Sequence, residues 1–133
     1  MIDNESTIGQ AVLTALRAEY PNITVYDETL LAPSVFPCVC IEQIDNYVNT
    51  YTIDSGSNEN HANVAFEINV YSNKKKTKKT ECKTIFFIVS DTLVNLGFVR
   101  NSMIPMSLND ATIFRIVGRF SATISANGEI TRR

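Results

Sequence analysis

The sequence predicts an α+β fold, a two-layer sandwich of a mainly antiparallel sheet with two helices packed on one face and a long protruding hairpin or arm. Three observations lead there. Val64, Phe66, Ile68 and Val70 alternate with Asn63, Glu67 and Asn69, the period of two expected of a strand that buries one face and wets the other. Cys82, Ile85, Phe86, Val89, Leu93 and Leu96 recur at helical spacing and stop at Gly97, so a helix follows that strand and folds back over it. The stretch from Ala111 to Ser125 alternates over an unusual length. Asn127-Gly128, the strongest hairpin signal in the chain, then returns Glu129 to Arg132 as a last short strand through a type I′ turn.

Taken in order, Asp3, Asn4 and Ser6 are N-cap candidates for a first amphipathic helix carrying Ile8, Val12, Ala15 and Leu16. Pro21 disfavours helical geometry at Tyr20 and ends it. Ile23 to Tyr26 is a short strand candidate, Asp27 to Pro37 is irregular or an edge, and Phe36-Pro37 is a candidate cis bond. Cys38 to Ile44 alternates weakly, as a strand with both faces partly covered. After the central strand and helix, Phe98 to Met103 forms a strand broken by Ile104-Pro105, and Asn109-Asp110 marks a turn. In the long final strand Phe114, Ile116, Phe120, Ala122 and Ile124 face one way and Ile113, Arg115, Val117, Arg119 and Thr123 the other. Gly118 marks a bulge or a close contact. Sequential strands are expected to pair as neighbours.

Composition sets the bounds. A chain of 133 residues is the size of one ordinary domain, so residues 1–133 are expected to form a single unit. A hydrophobic fraction of 44% with 20% charged residues is that of a globular protein, and no apolar run approaches a membrane span, so no membrane partner is expected. The N-terminus MIDNESTIG lacks a secretory signal, which places synthesis in a cytoplasm and keeps Cys38, Cys40 and Cys82 reduced. No second Cys pair or His cluster completes a zinc site, so the cysteines read as buried apolar fillers, with neither metal nor cofactor expected. A formal charge of −2 argues against a dedicated nucleic-acid binder, although a local basic patch survives such a total.

Residues 45–61, DNYVNTYTIDSGSNENH, interrupt the strand pattern, and an excursion this long in a compact domain is usually functional or disordered. Tyr47, Val48, Tyr51 and Ile53 favour function. The segment is either a hairpin continuing the flanking strands outward or a loop that orders only on a partner.

Three further constellations carry candidate functions. Lys74-Lys75-Lys76-Thr77-Lys78-Lys79, with Lys83 one turn on, sits at a helix start, where the macrodipole opposes positive charge. It is either a contact for acidic surface or phosphate, or a solvated turn. No aromatic platform of the kind single-strand binders use interleaves these lysines. His61, the sole histidine, has no nucleophile in a recognisable motif beside it and reads as an exposed arm residue. Arg115 and Arg119, with Arg132 and Arg133 at the end, form a basic stripe beside Ile113 and Val117. That stripe is equally a protein interface and a solvated face. The candidate interface set is therefore Tyr47, Tyr51, Ile53, Lys75, Lys76, Lys78, Lys79, Arg115 and Arg119, with no catalytic residue.

These residues also resemble a family. A strand ending in E-x-N-V-Y-S-N (Glu67 to Asn73) leads to the lysine turn Lys74 to Lys79 and a helix ending N-L-G-F (Asn95 to Phe98). Then come N-D-A-T-I-x-R (Asn109 to Arg115) and a long strand to the Arg132-Arg133 pair. The pattern resembles the small tail-completion proteins of long-tailed bacteriophages and prophages of Firmicutes, called tail terminators, head-to-tail joining or minor capsid proteins. The first helix and the Phe36-Pro37 strand fit as well, so the resemblance covers nearly the whole chain. It implies a structural protein of the virion, acting as a ring, most often a hexamer, that caps the tail tube. Its implied partners are copies of itself, the tail tube protein, a head-tail connector or stopper, and DNA threading the ring lumen. The alternative from the residues alone is a small nucleic-acid-binding module using the Lys74–Lys79 turn.

Overall fold

The alternating stretch Val64 to Val70 lies at the centre of the sheet. In the computed structural model, which describes residues 5–27, 35–48, 61–106, 112–125 and 130–131, the elements are α1 (Glu5–Glu19), β1 (Thr24–Tyr26), β2 (Cys38–Val48), β3 (His61–Ser72), α2 (Lys78–Leu96), β4 (Val99–Met106), β5 (Phe114–Ser125) and β6 (Ile130–Thr131). The strands order as β1-β2-β3-β5-β4, with β6 added to β5. All pairings are antiparallel except β1 on β2. Both helices cover one face, so the architecture is α+β with a mixed, mostly antiparallel sheet. Neighbours are not all sequential, because β5 inserts between β3 and β4 and pairs with β3 along its whole length.

Why the chain divides this way follows from side-chain alternation. Val64, Phe66, Ile68 and Val70 point to the helix layer and are buried there with Val39 and Ile41 of β2 and Ile116, Phe120, Ala122 and Ile124 of β5. From the helices come Ile8, Val12 and Leu16 of α1 and Cys82, Ile85, Phe86, Val89 and Leu93 of α2. Phe66 meets Phe98 edge-on with centroids 5.6 Å apart, and Phe86 lies tilted on Phe120 at 6.0 Å. Burying each such ring contributes about 1.5–3 kcal/mol. Gly97 has φ of 113°, which a side chain would strain. The N–H groups of Gly97 and Phe98 close the helix by donating to the carbonyls of Val94 and Leu93, the two bonds of a left-handed helix stop.

Gly118 is a close contact rather than a bulge. A Cβ there would stand 2.4 Å from Cε2 and Cζ of Phe86, so the ring of α2 lies directly on the strand backbone. The bulges fall elsewhere, between Gln43 and Asp45 in β2 and between Arg100 and Ser102 in β4. At the first of these the Gln43 N–H donates to the Glu5 carboxylate at 3.2 Å, tying the start of α1 to the sheet.

Some expectations are corrected and others are met. Pro105 does not break β4, which runs on to Met106, because β4 is the last strand of the sheet order and an edge tolerates a missing donor. Asp45 to Val48 pair with Ala62 to Ala65, so β2 and β3 continue outward into the arm segment, as in the hairpin reading of residues 45–61. Residues 49–60, with Tyr51 and Ile53, lie outside the described residues, as do Asp3, Asn4, the turns at Asn109-Asp110 and Asn127-Gly128, and Arg132-Arg133. Ser6 is inside α1 and does not cap it. Phe36-Pro37 is cis.

Candidate functional site

The face of the sheet away from the helices carries most of the chemistry. Across it the register aligns Cys38, Tyr71, Arg115 and Met106 in one row. Cys40, Asn69, Val117 and Ile104 form the next, and Glu42, Glu67, Arg119 and Ser102 the third. The two arginines of the predicted stripe do share this face, and each meets a partner on β3. Arg115 donates from Nε and Nη2 to Asn69 Oδ1 at 2.8 and 2.6 Å, and its guanidinium lies 5.5 Å from the centre of the Tyr71 ring. Asn69 Nδ2 donates in turn to Glu67 Oε1 at 3.3 Å, and Glu67 pairs with Arg119 at 3.6 Å. The stripe is therefore a hydrogen-bonded network with one carboxylate for two guanidinium groups, and it satisfies the fully buried Asn69. Arg115 is a structural residue; Arg119 keeps an exposed head.

Beneath Arg115 a second small cluster forms from Cys38, Cys40 and Tyr71, with Tyr26, Phe36 and Ile113 against it. Burial, with Cys40 beside it, pushes the Cys38 thiol up to about 12, and burial likewise raises the Tyr71 phenol. Cys82 belongs to the main core, where Sγ points to the carbonyls of Phe114 at 3.3 Å and Val70 at 3.7 Å. Its thiol is also raised to about 12, chiefly by burial and then by Glu81. Such thiols are inert as nucleophiles.

The lysine turn lies at the opposite end of β3 from the β2–β3 hairpin. Ser72 Oγ donates to Glu81 Oε1 at 2.6 Å, the Lys74 N–H donates to Ser72 Oγ, and Lys74 Nζ stands 4.0 Å from Glu81 Oε2. One acid in the first turn of α2 thus fixes the turn. Thr77 precedes the helix without a side-chain cap, and Lys76 takes a left-handed φ of 68°. Lys75, Lys76 and Lys79 are exposed and Lys78 is half-buried, and none of the four makes an ion pair among the described residues. Lys74, Lys75, Lys76 and Lys78, with Asn73 and Thr112, line a shallow surface cleft.

His61 is half-buried rather than an exposed arm residue. It opens β3 opposite Ser125, with Nδ1 buried and unpartnered among the described residues. Among those residues no three His, Cys, Asp or Glu side chains gather as metal ligands, and no helix is long and apolar enough to cross a membrane.

Exposed large apolar side chains escape the sequence reading, apart from Tyr47. Val35, Ile44 and Tyr47 lie along or just before β2, Ile104 and Met106 on β4, and Phe87 on the outer side of α2. The signal that could have found Ile104 and Met106 is the apolar run flanking Pro105, which makes sense only on an edge.

The fold is shared with a virion protein. Over 92% of this chain and 94% of the other, it is similar to a chain in the solved structure of the virion of a native gene transfer agent (GTA) particle, with a TM-score of 0.64 and 19% sequence identity. No family model and no curated protein matches the sequence. At that identity the likeness is one of fold.

Proposed function

We propose that this chain is a structural protein of a virion that caps the tail tube and joins it to the head connector, acting as a ring. The observation that carries the reading is the fold shared with a chain of the gene transfer agent virion, almost end to end in both chains. The tail-terminator resemblance of the lysine turn, the N-L-G-F helix end and the long strand supports the same role and makes six the expected ring size. What the surface offers is compatible with assembly rather than catalysis: buried, inert thiols, a lysine turn largely without ion pairs among the described residues, and apolar side chains on both flanks of the sheet. The ring's subunit contact is expected near the ~800 Å² per partner of a stable interface.

Negative-stain microscopy of the purified protein, alone and mixed with purified tail tubes, tests this. Rings, free or seated on one end of the tubes, are the expected result. A protein that stays monomeric under both conditions and leaves tube ends bare refutes it.

The second reading, a nucleic-acid-binding module, rests on the exposed lysines at a helix start without a side-chain cap. It requires tight binding to short duplexes at physiological salt, with affinity falling steeply as salt rises. Absence of such binding retires it.

A further inference from the structure

The charges of this chain are segregated, and the fold turns that segregation into two sides. Residues 18–73 contain no Lys or Arg, and all six lysines lie between Lys74 and Lys83. Within the sheet, β2 carries Glu42 and Asp45 and no base, with Asp27 just after β1, whereas β4 and β5 carry Arg100, Arg115 and Arg119 and no acid. One flank of the sheet is acidic and the other basic.

Exposed apolar side chains follow the same division. Ile44 and Tyr47, each 42% exposed, lie on β2, and Ile104 and Met106, 54% and 43% exposed, on β4. Because β1 pairs only with Cys38 to Cys40, β2 beyond Ile41 has no strand on its outward edge among the described residues, and β4 has none on its own. Each free edge therefore joins an apolar pair to a charge of one sign.

We propose that the β4 edge of one copy docks against the β1–β2 flank of the next copy, with Arg100 near Asp45 on the outward edge of β2 and Ile104 and Met106 against β1. The occupant is a second copy because the two edges of a single chain are complementary to each other. Pairing β4 with β4 would join two basic edges, and pairing β2 with β2 two acidic ones, so opposite edges are favoured over like ones. For the charged pair the heights agree as well. Asp45 is level with Ala65, Ser121 and Val99 across the sheet, and Arg100 is the next residue along. A rotation about an axis parallel to the strands keeps residues at their height, so it brings Arg100 of one copy within a residue of Asp45 of its neighbour and sets Ile104 and Met106, level with Cys40 and Cys38, against the neighbour's β1. Two different patches on opposite flanks make a head-to-tail contact, which propagates from copy to copy and closes into a ring when the rotation divides the circle. This rests on the ring reading above and names the surface that closes the ring.

The test is a charge swap in the full chain, read by sedimentation velocity at low and physiological salt. Arg100 and Asp45 are both exposed, and circular dichroism checks that each variant keeps the fold. Arg100→Glu and Asp45→Lys, made singly, are each expected to weaken self-association about tenfold at low salt and less at high salt. The double variant carrying both changes restores the attraction with its signs reversed and is expected to return near wild-type association. Single variants that associate as wild type does, or a double variant no better than the singles, overturn the proposed edge contact while wild-type rings leave the ring itself standing. A wild-type chain that forms no ring with or without tail tubes overturns both.

Discussion

Replacing Gly118 by alanine asks whether α2 truly rests on the backbone of β5. The added Cβ would lie 2.4 Å from two atoms of the Phe86 ring and 3.2 Å from the carbonyl oxygen of Ser102. An ordinary contact needs at least 3.4 Å, so the ring must move by about 1 Å. Phe86 is fully buried and tilted on Phe120, which leaves it no empty space to enter. Overpacking of this kind costs about 1–3 kcal/mol, and the better backbone preference of alanine over glycine in a strand returns about 0.5–1. The net loss is centred near ~1 kcal/mol and reaches about 2.5 at most, so Tm falls by roughly 3–5 °C at the central value for a domain of this size. Thermal melts followed by circular dichroism measure it. Shortening the ring by Phe86→Leu should relieve the clash, so the alanine should cost under about 0.5 kcal/mol in that background, a coupling of about 1 kcal/mol. An unchanged Tm for Gly118→Ala, or the same cost with and without Phe86→Leu, refutes the contact.

Three other outcomes follow from the same geometry. Cys38 and Cys82, raised to about 12 in the folded protein, ionise in the unfolded chain near ~8.5; the unfolded state thus loses its protons first, and their contribution to stability is complete below that pH and lost as pH rises toward 12. Denaturant titrations between neutral and strongly alkaline pH should show that fall, shallower in Cys82→Ala, and equal slopes would refute it. Ser72→Ala and Glu81→Gln should each cost about 1 kcal/mol, and the pair together less than the sum, because one bond is broken in both. Changing Lys75, Lys76, Lys78 and Lys79 to Glu should leave Tm unchanged or raise it, since acids at the start of α2 gain about 0.3–1 kcal/mol each, while in-vitro joining of filled heads to tails built with the variant falls; wild-type joining at two salt concentrations would reduce these lysines to a solvated turn.

Elements whose stability is local are legible in the order of the amino acids. Val64 to Val70 and Cys82 to Leu93 announce their buried faces by spacing alone, and Gly97 its helix stop, because those signals depend on residues a few positions apart. Arg115 illustrates the opposite case. Its alternation places it correctly on the outer face, but its role depends on Asn69, which is 46 residues away and adjacent only through the β3–β5 register. The same holds for Asp45 and Tyr47, whose polar surroundings resemble a loop until Ala65 and Asn63 are found opposite them. Pro105 misleads for a related reason, since only the strand order shows that β4 is an edge. The interface candidates divide accordingly: the lysine turn, continuous in sequence, is visible as a unit, whereas the two flanks of the sheet exist only after the strands are ordered.

The insertion of β5 beside β3 also bears on how the chain is made. On a ribosome β3 obtains β2 early, but its second neighbour arrives only after another ~50 residues, roughly 3 to 10 s at ordinary rates of synthesis. Through that interval one long edge of the central strand has unpaired N–H and C=O groups, the arrangement that invites pairing between nascent chains. Asn63, Glu67 and Asn69 make the outer side of that edge polar, and α2, which emerges before β5, can already cover the apolar side. The polar residues that later hold Arg115 and Arg119 thus guard the unfinished sheet first.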